Sequence, residues 1–563
     1  VDTETEEGHR KNNRQKRIIQ TLAEMEKCEI SSSQLESSLP YPSSFTSVIL
    51  CVITLYLVYR LFRSLREKKD DGRRYPPGPK GLPLIGSLLD LRSDVLMKMK
   101  RFADEYGSIY TINLGPTNLV VLNNKDVIKE AFVTNAACMS HRPQVMFDTL
   151  KQSQGIILKQ PGDLHRKNRN FLSTGFRMIK LGVPEFSYHL HPHIDNFKDK
   201  LIASKGQPLP ICSTSHRLLF EIFTDLMLGE VPDPNSEKVN KLLDILYIAL
   251  SPNPMLALVG NLIPNWVKSA LSDWIDMADC LAKVTRYLKE HIHQHRETYE
   301  GDPTNLINAF LHKEKLELEK TSKLREESSS GGDSDTEIEK AAIGTSFMVN
   351  DQEENEKSLA AILLDVFQAG CTSVVASLQW LLLDLAIHQD VQDKLRMEVD
   401  RNVEQRNQRP SLLLRSDNFP YTKAVMLESI RLHPPAPLGA PHCAAQDTKL
   451  AGYDIDKGTI ILPNFLMALQ DFNQWEDACD FRPERFLNED GTLATRETLG
   501  FSIGPRQCPG KLLSNTVISS ILTDVIQDFT LHLPPDHNFS LKGNPGIIYN
   551  PQPFSIIAKQ RTS

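Results

Sequence analysis

The chain is 563 residues long, 40% hydrophobic and 24% charged, with a formal net charge of −7. That acidic balance argues against a nucleic-acid binder, which needs a basic surface. Nine cysteines without a Cys-x-x-Cys pair or zinc-ligand spacing fit a reducing compartment rather than a disulfide framework.

In chain order, residues 1–44 read as a polar extension that opens at Val1 and holds Met25 as a candidate true start. Phe45 to Phe62, FTSVILCVITLYLVYRLF, has no acidic residue and is basic only at Arg60. About 18 apolar residues just cross a bilayer. Arg60, Arg63, Arg66, Lys68, Lys69, Arg73 and Arg74 lie at or beyond its end, so the positive-inside rule places everything downstream in the cytoplasm. A cleaved secretory signal is disfavoured, because the charge follows the apolar run and no small-residue cleavage site comes after it. Residues 63–79 form a basic linker ending in Tyr75-Pro76-Pro77-Gly78-Pro79, a stiff hinge before the globule.

Residues 80–563 hold the rest of the chemistry. Ser215 to Leu228 and Asp273 to His293 repeat apolar residues at helical spacing. Ser251 to Val267 is apolar for a connection and is a candidate membrane-dipping entrance or ordinary core packing. From about 314 to 356 the composition turns to Glu, Lys, Ser and Gly, which predicts a disordered insertion. Ser358 to Ile387 is long and apolar, yet Asp365, Gln368, Gln379 and Asp384 interrupt it, which favours a buried central helix over a second membrane span. Lys449 to Ile455 and Thr459 to Leu462 read as short strands.

The most informative stretch is Phe501-Ser502-Ile503-Gly504-Pro505-Arg506-Gln507-Cys508-Pro509-Gly510-Lys511. Gly504 and Gly510 would permit backbone conformations closed to other residues, letting a flat macrocycle approach the loop. Pro509 suits the first position of a helix, and Leu512, Leu513, Val517, Ile518, Ile521, Leu522 and Val525 continue at helical spacing. Cys508 would then sit at a helix N-terminus, whose positive end favours the thiolate.

This Phe-x-x-Gly-x-Arg-x-Cys-x-Gly pattern resembles the haem-binding signature of the cytochrome P-450 family, and the resemblance runs from Tyr75 to Ile557. Length alone predicts about three or four domains. The resemblance instead implies one mainly α catalytic domain with a small β-rich region, behind one N-terminal transmembrane helix, as in microsomal members of the drug- and steroid-metabolising branches. It implies haem b with Cys508 as iron ligand, a thiolate that favours O–O cleavage. Arg506, Arg169 and His442 are the implied propionate partners, and Phe501 and Gly504 shape the loop. The family places Trp where His165 stands, so His165 is a departure and the weaker propionate candidate beside Arg169.

Glu428-Ser429-Ile430-Arg431 places opposite charges one helical turn apart. The resemblance implies that Glu428, Arg431 and Arg485 form a buried network supporting the haem loop. In Phe367-Gln368-Ala369-Gly370-Cys371-Thr372-Ser373, the family carries an acid and then threonine at the last two positions, as a proton relay. Here Thr372 and Ser373 stand there; Ser373 keeps a hydroxyl, and Ala369 and Gly370 are expected to leave room for oxygen. The implied activity is monooxygenation of a lipophilic substrate (steroid, fatty acid or xenobiotic) at the endoplasmic reticulum membrane. Electrons would come from NADPH through a cytochrome P-450 reductase docking on Arg166 and Lys167, with a cytochrome b-type donor as a second source. The alternatives are a peroxide-rearranging isomerase or dehydratase of the same fold and a non-catalytic haem sensor. Against the first, the Cys508 loop has no insertion and Arg506 is present.

Overall fold

The computed structural model describes residues 44–66, 72–82, 86–87, 90–91, 94–114, 117–143, 155–231, 233, 272–328, 352–414, 418–496, 498–535, 540–544 and 546–561. Two compact units divide the chain at residues 69 and 70. In the first, helix α1, Ser44–Arg66, exposes Val48, Leu50, Val52, Leu55 and Leu57 along its length.

The second unit is mainly helical. Its described long helices are α2 Val95–Tyr106, α3 Asp163–Met178, α4 Ser187–Ala203, α5 Ile211–Leu228, α6 Ser272–Thr298, α7 Leu306–Ser328, α8 Gln352–Ala369, α9 Val375–Ile387, α10 Gln389–Arg406, α11 Pro420–Leu432 and α12 Lys511–Asp528. A wider turn, Gly370–Val374, joins α8 to α9, so the long apolar stretch is one nearly continuous helix. By length and composition it could cross a membrane, but 67% of its apolar window is buried inside the protein. Its interrupting polar groups are satisfied there. The Gln379 amide donates to Ser215 Oγ at 2.9 Å, and Asp384 accepts from Ser429 Oγ at 2.7 Å. Trp380 is fully buried; it stacks on His433 with centroids 3.9 Å apart and donates Nε1–H to Tyr549 O. Burying each Leu of this helix contributes about 1.5–3 kcal/mol in a core or a bilayer alike, so the partners that the core gives Gln379 and Asp384 are what favour the core.

The β structure is larger than the sequence reading foresaw. Strands β1 Ile109–Leu114 and β2 Thr117–Leu122, both unforeseen, pair antiparallel. With β4 His442–Cys443 and β7 Ile460–Pro463 they make a sheet ordered β1-β2-β7-β4. β2 and β7 run parallel, Val120 opposite Ile461. β5 Thr448–Leu450 and β6 Tyr453–Ile455 form a hairpin, while β3 Leu209–Pro210, β9 Ser555–Gln560 and β8 Phe529–His532 form a third sheet.

Two expectations are revised, and a third falls on residues not described. The Tyr75–Pro79 segment is not a free hinge, because Thr111 N–H on β1 donates to Pro77 O at 2.7 Å and a Cβ at Gly78 would lie 1.9 Å from Thr111 O. Of the insertion expected at 314–356, residues 314–328 continue α7 and 352–356 open α8; the part between lies outside the described residues. Ser251 to Val267 also lies outside them.

Candidate active site

The Cys508 loop is shaped by its contacts before the helix begins. Cys508 N–H donates to Phe501 O at 2.9 Å and Gln507 N–H to Gly504 O at 3.0 Å, which fold the loop back on itself. Gly504 has φ 75°, and a Cβ there would fall 2.0 Å from Phe132 O; both conformation and space demand glycine. Gly510 differs from expectation: its φ is −87°, open to any residue. What its missing side chain leaves clear is the flank of Cys508 Sγ, 3.8 Å from where a Cβ would stand. α12 starts at Lys511, so Pro509 precedes the helix instead of occupying its first position. Upstream, a Cβ at Gly500 would meet Ile430 Cγ2 at 2.2 Å, which seats the loop directly on α11.

The Cys508 side chain is accessible, yet burial raises its thiol pKa. The N–H groups of Gly510 and Lys511 and the charges of Arg169 and Lys511 pull the pKa down, as a helix N-terminus should. Burial nevertheless outweighs them, contrary to the expectation of a favoured thiolate in the protein alone.

Around this loop gather three guanidinium groups and three imidazoles. Arg506 donates Nε–H to Ser140 O, Nη1–H to Ile156 O at 3.3 Å and Nη2–H to Lys159 O. Its Nη1 also lies 2.6 Å from His165 Nε2. Arg169 donates to Gln507 O at 2.9 Å. Arg142, unnoticed in the sequence, is 5% exposed and donates to Ile157 O, Ala440 O and Pro441 O. Among the described residues no carboxylate pairs with any of the three. Burial and mutual repulsion push Arg142 down to about 9 and Arg506 to about 10, and burial lowers Arg169. Burial and these arginines hold His165 at about 4 and His442 well below the usual imidazole range. His141 is lowered by burial and Arg506. A buried cationic cluster without a protein anion fits a group bearing two carboxylates.

His442 reaches the cluster from β4 and stacks on Phe132 with centroids 4.0 Å apart. Its Nδ1 lies 2.7 Å from Met139 O, so Nδ1 carries the hydrogen and a neutral ring presents only a lone pair at Nε2. To donate toward a carboxylate as well, this imidazole must become charged.

On the central helix Ala369 is exposed, with Thr372 and Ser373 half-buried. Ser373 Oγ donates to Ala369 O at 2.8 Å, and Thr372 Oγ1 to Gln368 O at 2.8 Å. Gly370 is also constrained by packing. A Cβ there would lie 2.2 Å from the Phe223 ring of α5, so its smallness admits a core aromatic.

Asp365, one turn before Ala369, was read only as an interruption of the apolar run. It accepts from Ile156 N at 2.5 Å and Ile157 N at 2.9 Å, fastening the Arg506-binding segment to α8. Burial raises it to about 6 despite those two donors. Gly155 makes the approach possible, since a Cβ there would meet Asp365 Oδ2 at 2.2 Å.

Glu428, Arg431 and Arg485 come together, all buried. Arg431 grips the Glu428 carboxylate with Nε and Nη2 at 2.7 and 2.9 Å, and Arg485 Nε donates to the same carboxylate at 2.9 Å. The spare guanidinium hydrogens go to the carbonyls of Leu469, Ala478 and Asp480 and of Glu476 and Asp477. Arg166, by contrast, is an exposed residue paired with Asp163 on its own helix, and Lys167 is half-buried.

A helical unit with small sheets, an accessible loop cysteine and a carboxylate-hungry cluster beside it define a haem-binding class of oxidoreductase. The cytochrome P450 family profile matches residues 76–558, and the chain belongs to that family of haem-b monooxygenases, which draw electrons from a reductase. It is 28% identical over 519 residues to rat (Rattus norvegicus) "Cytochrome P450 2U1", covering 86% of this chain and 91% of that protein. It is 27% identical over 504 residues to human (Homo sapiens) "Cytochrome P450 2J2", covering 87% and 92%. It is 26% identical over 532 residues to "Farnesoate epoxidase" of Bombyx mori, covering 91% and 98%.

Proposed function

We propose that this chain is a membrane-anchored monooxygenase that holds haem through Cys508 and inserts one atom of dioxygen into a lipophilic substrate, with electrons from an NADPH-dependent cytochrome P-450 reductase. The observation that carries the reading is the accessible Cys508 sulfur beside three arginines that have no carboxylate partner among the described residues. When bound, haem supplies the redox chemistry that activates dioxygen.

The protein's own residues bind, orient and deliver protons. Cys508 would hold the haem iron, and Arg142, Arg169 and Arg506 would neutralise the two propionates. Glu428, Arg431 and Arg485 fix the carbonyls of the segment leading to the Cys508 loop. Ser373 offers a hydroxyl that would relay a proton, released from its present bond to Ala369 O when a better acceptor is bound. The apolar, outward-facing α1 helix supports a membrane anchor with the second unit on the cytoplasmic side of the endoplasmic reticulum. Arg166 and Lys167 lie on the face offered to the reductase. One relative's name, farnesoate epoxidase, makes unsaturated lipophilic chains the first substrates to try.

A second reading, rearrangement of a bound peroxide without reductase, is favoured by one observation. Thr372 stands where a relay acid is expected, and its hydroxyl is turned back on Gln368 O. Both readings meet one experiment. The membrane-reconstituted protein is mixed with NADPH and purified reductase under carbon monoxide while the Soret band is recorded. A long-wavelength thiolate band formed at the reductase-driven rate supports the first reading; formation only with a chemical reductant supports the second. Cys508→Ala should abolish the band in either case.

A further inference from the structure

We propose that the β5–β6 hairpin is a latch for the chain's own basic linker, and that an anionic bilayer surface opens it by drawing Arg73 and Arg74 onto its headgroups. The latch needs α1 to lie in a bilayer, as read above, and is independent of the haem.

Three aspartates at the hairpin divide their oxygens between the hairpin and the linker. Asp447 accepts from Lys457 N–H with one oxygen and from Arg73 Nη2, at 3.3 Å, with the other. Asp454 takes Lys449 Nζ on one oxygen and the Arg74 N–H, at 2.8 Å, on the other. Asp456 Oδ1 accepts from Arg73 Nη1 at 2.9 Å and from the Tyr75 hydroxyl at 3.1 Å. In return Asp454 N–H donates to Arg74 O at 2.6 Å, so both backbone groups of Arg74 are bonded to one residue of β6. Its guanidinium lies over the Tyr453 ring, 4.9 Å from the centroid.

The two ends of this strap differ in kind. At one end Thr111 N–H of β1 donates to Pro77 O, and a Cβ on Gly78 would fall 1.9 Å from Thr111 O. Those contacts carry no net charge and are indifferent to a competing anion. At the other end residues 72–74 are exposed. The side chains of Arg73 and Asp447 are 42% and 58% exposed, so their attraction is weak and screened by salt. A basic residue gains a comparable amount at an anionic membrane surface. Arg73 and Arg74 close a stretch, 60–74, of seven basic and three acidic residues that α1 delivers to the bilayer surface. The contest is therefore close to balance, and lipid charge decides it. Six residues, 67–72, separate α1 from the latched strap. Released as far as Pro77, the connection is ten residues, 67–76, a gain of about 13 Å in reach.

The test is hydrogen–deuterium exchange of the full-length protein in lipid nanodiscs at one ionic strength. Co-elution with the discs and the carbon monoxide spectrum are checked first for every sample. The amides of Arg74 and Asp454 report the latch, and that of Thr111 reports the fixed end. In discs of neutral phosphatidylcholine all three should exchange slowly. With phosphatidylserine added, Arg74 and Asp454 should exchange roughly tenfold faster while Thr111 stays as it was. The double variant Asp447→Asn, Asp456→Asn should exchange fast at Arg74 and Asp454 in both kinds of disc. Equal exchange of the wild type in the two discs, or a double variant as protected as the wild type in neutral discs, would overturn the latch. Inorganic phosphate added to neutral discs should change nothing; acceleration by it would overturn the bilayer surface as the opener. A wild type that fails to enter the discs would instead overturn the anchor reading beneath the proposal.

Discussion

Phe223 stands where a side chain on residue 370 would have to be: a Cβ built on Gly370 falls 2.2 Å from the Phe223 ring. Two helices, α5 and the bend between α8 and α9, are locked through that contact. Gly370→Ala should therefore act on stability before chemistry, lowering it by about 1–3 kcal/mol as an overpacked core does. Thermal unfolding of the reconstituted protein reads the effect; an unchanged midpoint would mean that Phe223 moves aside freely.

Asp365 carries a pH signature. Its folded-state pKa, raised to about 6 by burial, lies above the value of an unfolded aspartate. Its stabilising contribution is therefore fully present below the unfolded value and is lost as pH rises through about 6. Relative to Asp365→Asn, which stays neutral, the wild type should gain about 1 kcal/mol between pH 7 and pH 5. Denaturant titrations of both proteins at the two pH values measure this, and parallel behaviour would refute it.

Glu428 neutralises two buried arginines, so its removal leaves uncompensated charge. Glu428→Ala should cost about 3–5 kcal/mol and yield protein that fails to retain haem, scored by Soret absorbance per mole of purified chain. Full haem content in this variant would show that the Cys508 loop is held by other means.

Ser373→Ala removes the one hydroxyl standing at the family's relay threonine. More hydrogen peroxide should be released per NADPH consumed, with the carbon monoxide spectrum unaltered. Unchanged coupling would place the proton path elsewhere.

Much of this was legible because its signals are local. The Cys508 loop, the Glu428–Arg431 turn and the apolar run of Ser358 to Ile387 each announce themselves within a few residues of sequence. Even so, Gly510 was misread for a local reason, since its φ of −87° is open to any residue. The packing constraint on Gly370 was missed because Phe223 comes from a distant segment and no local pattern names it. Arg142 and Asp365 were missed for the same reason. Arg142 is a single basic residue before Pro143, and its acceptors are backbone carbonyls more than a dozen residues away. The β1–β2 pair was missed although Gly115-Pro116 between Leu114 and Thr117 is a turn signal. The thiol of Cys508 illustrates a contest of magnitudes: spacing revealed the helix terminus that lowers its pKa, whereas only three dimensions reveal the burial that raises it.

The distance along the chain between Arg506 and its acceptors has a consequence for biosynthesis. Ser140, Ile156 and Lys159 precede Arg506 by 366, 350 and 347 residues. At ribosomal speeds of roughly 5–20 residues per second, that gap is on the order of 20–70 seconds of synthesis. During that interval Arg142 and the carbonyls of Ser140 to Lys159 exist without the loop they are meant to hold. Haem capture through that loop would thereby be confined to the last moments of translation or after it, when Cys508 has emerged.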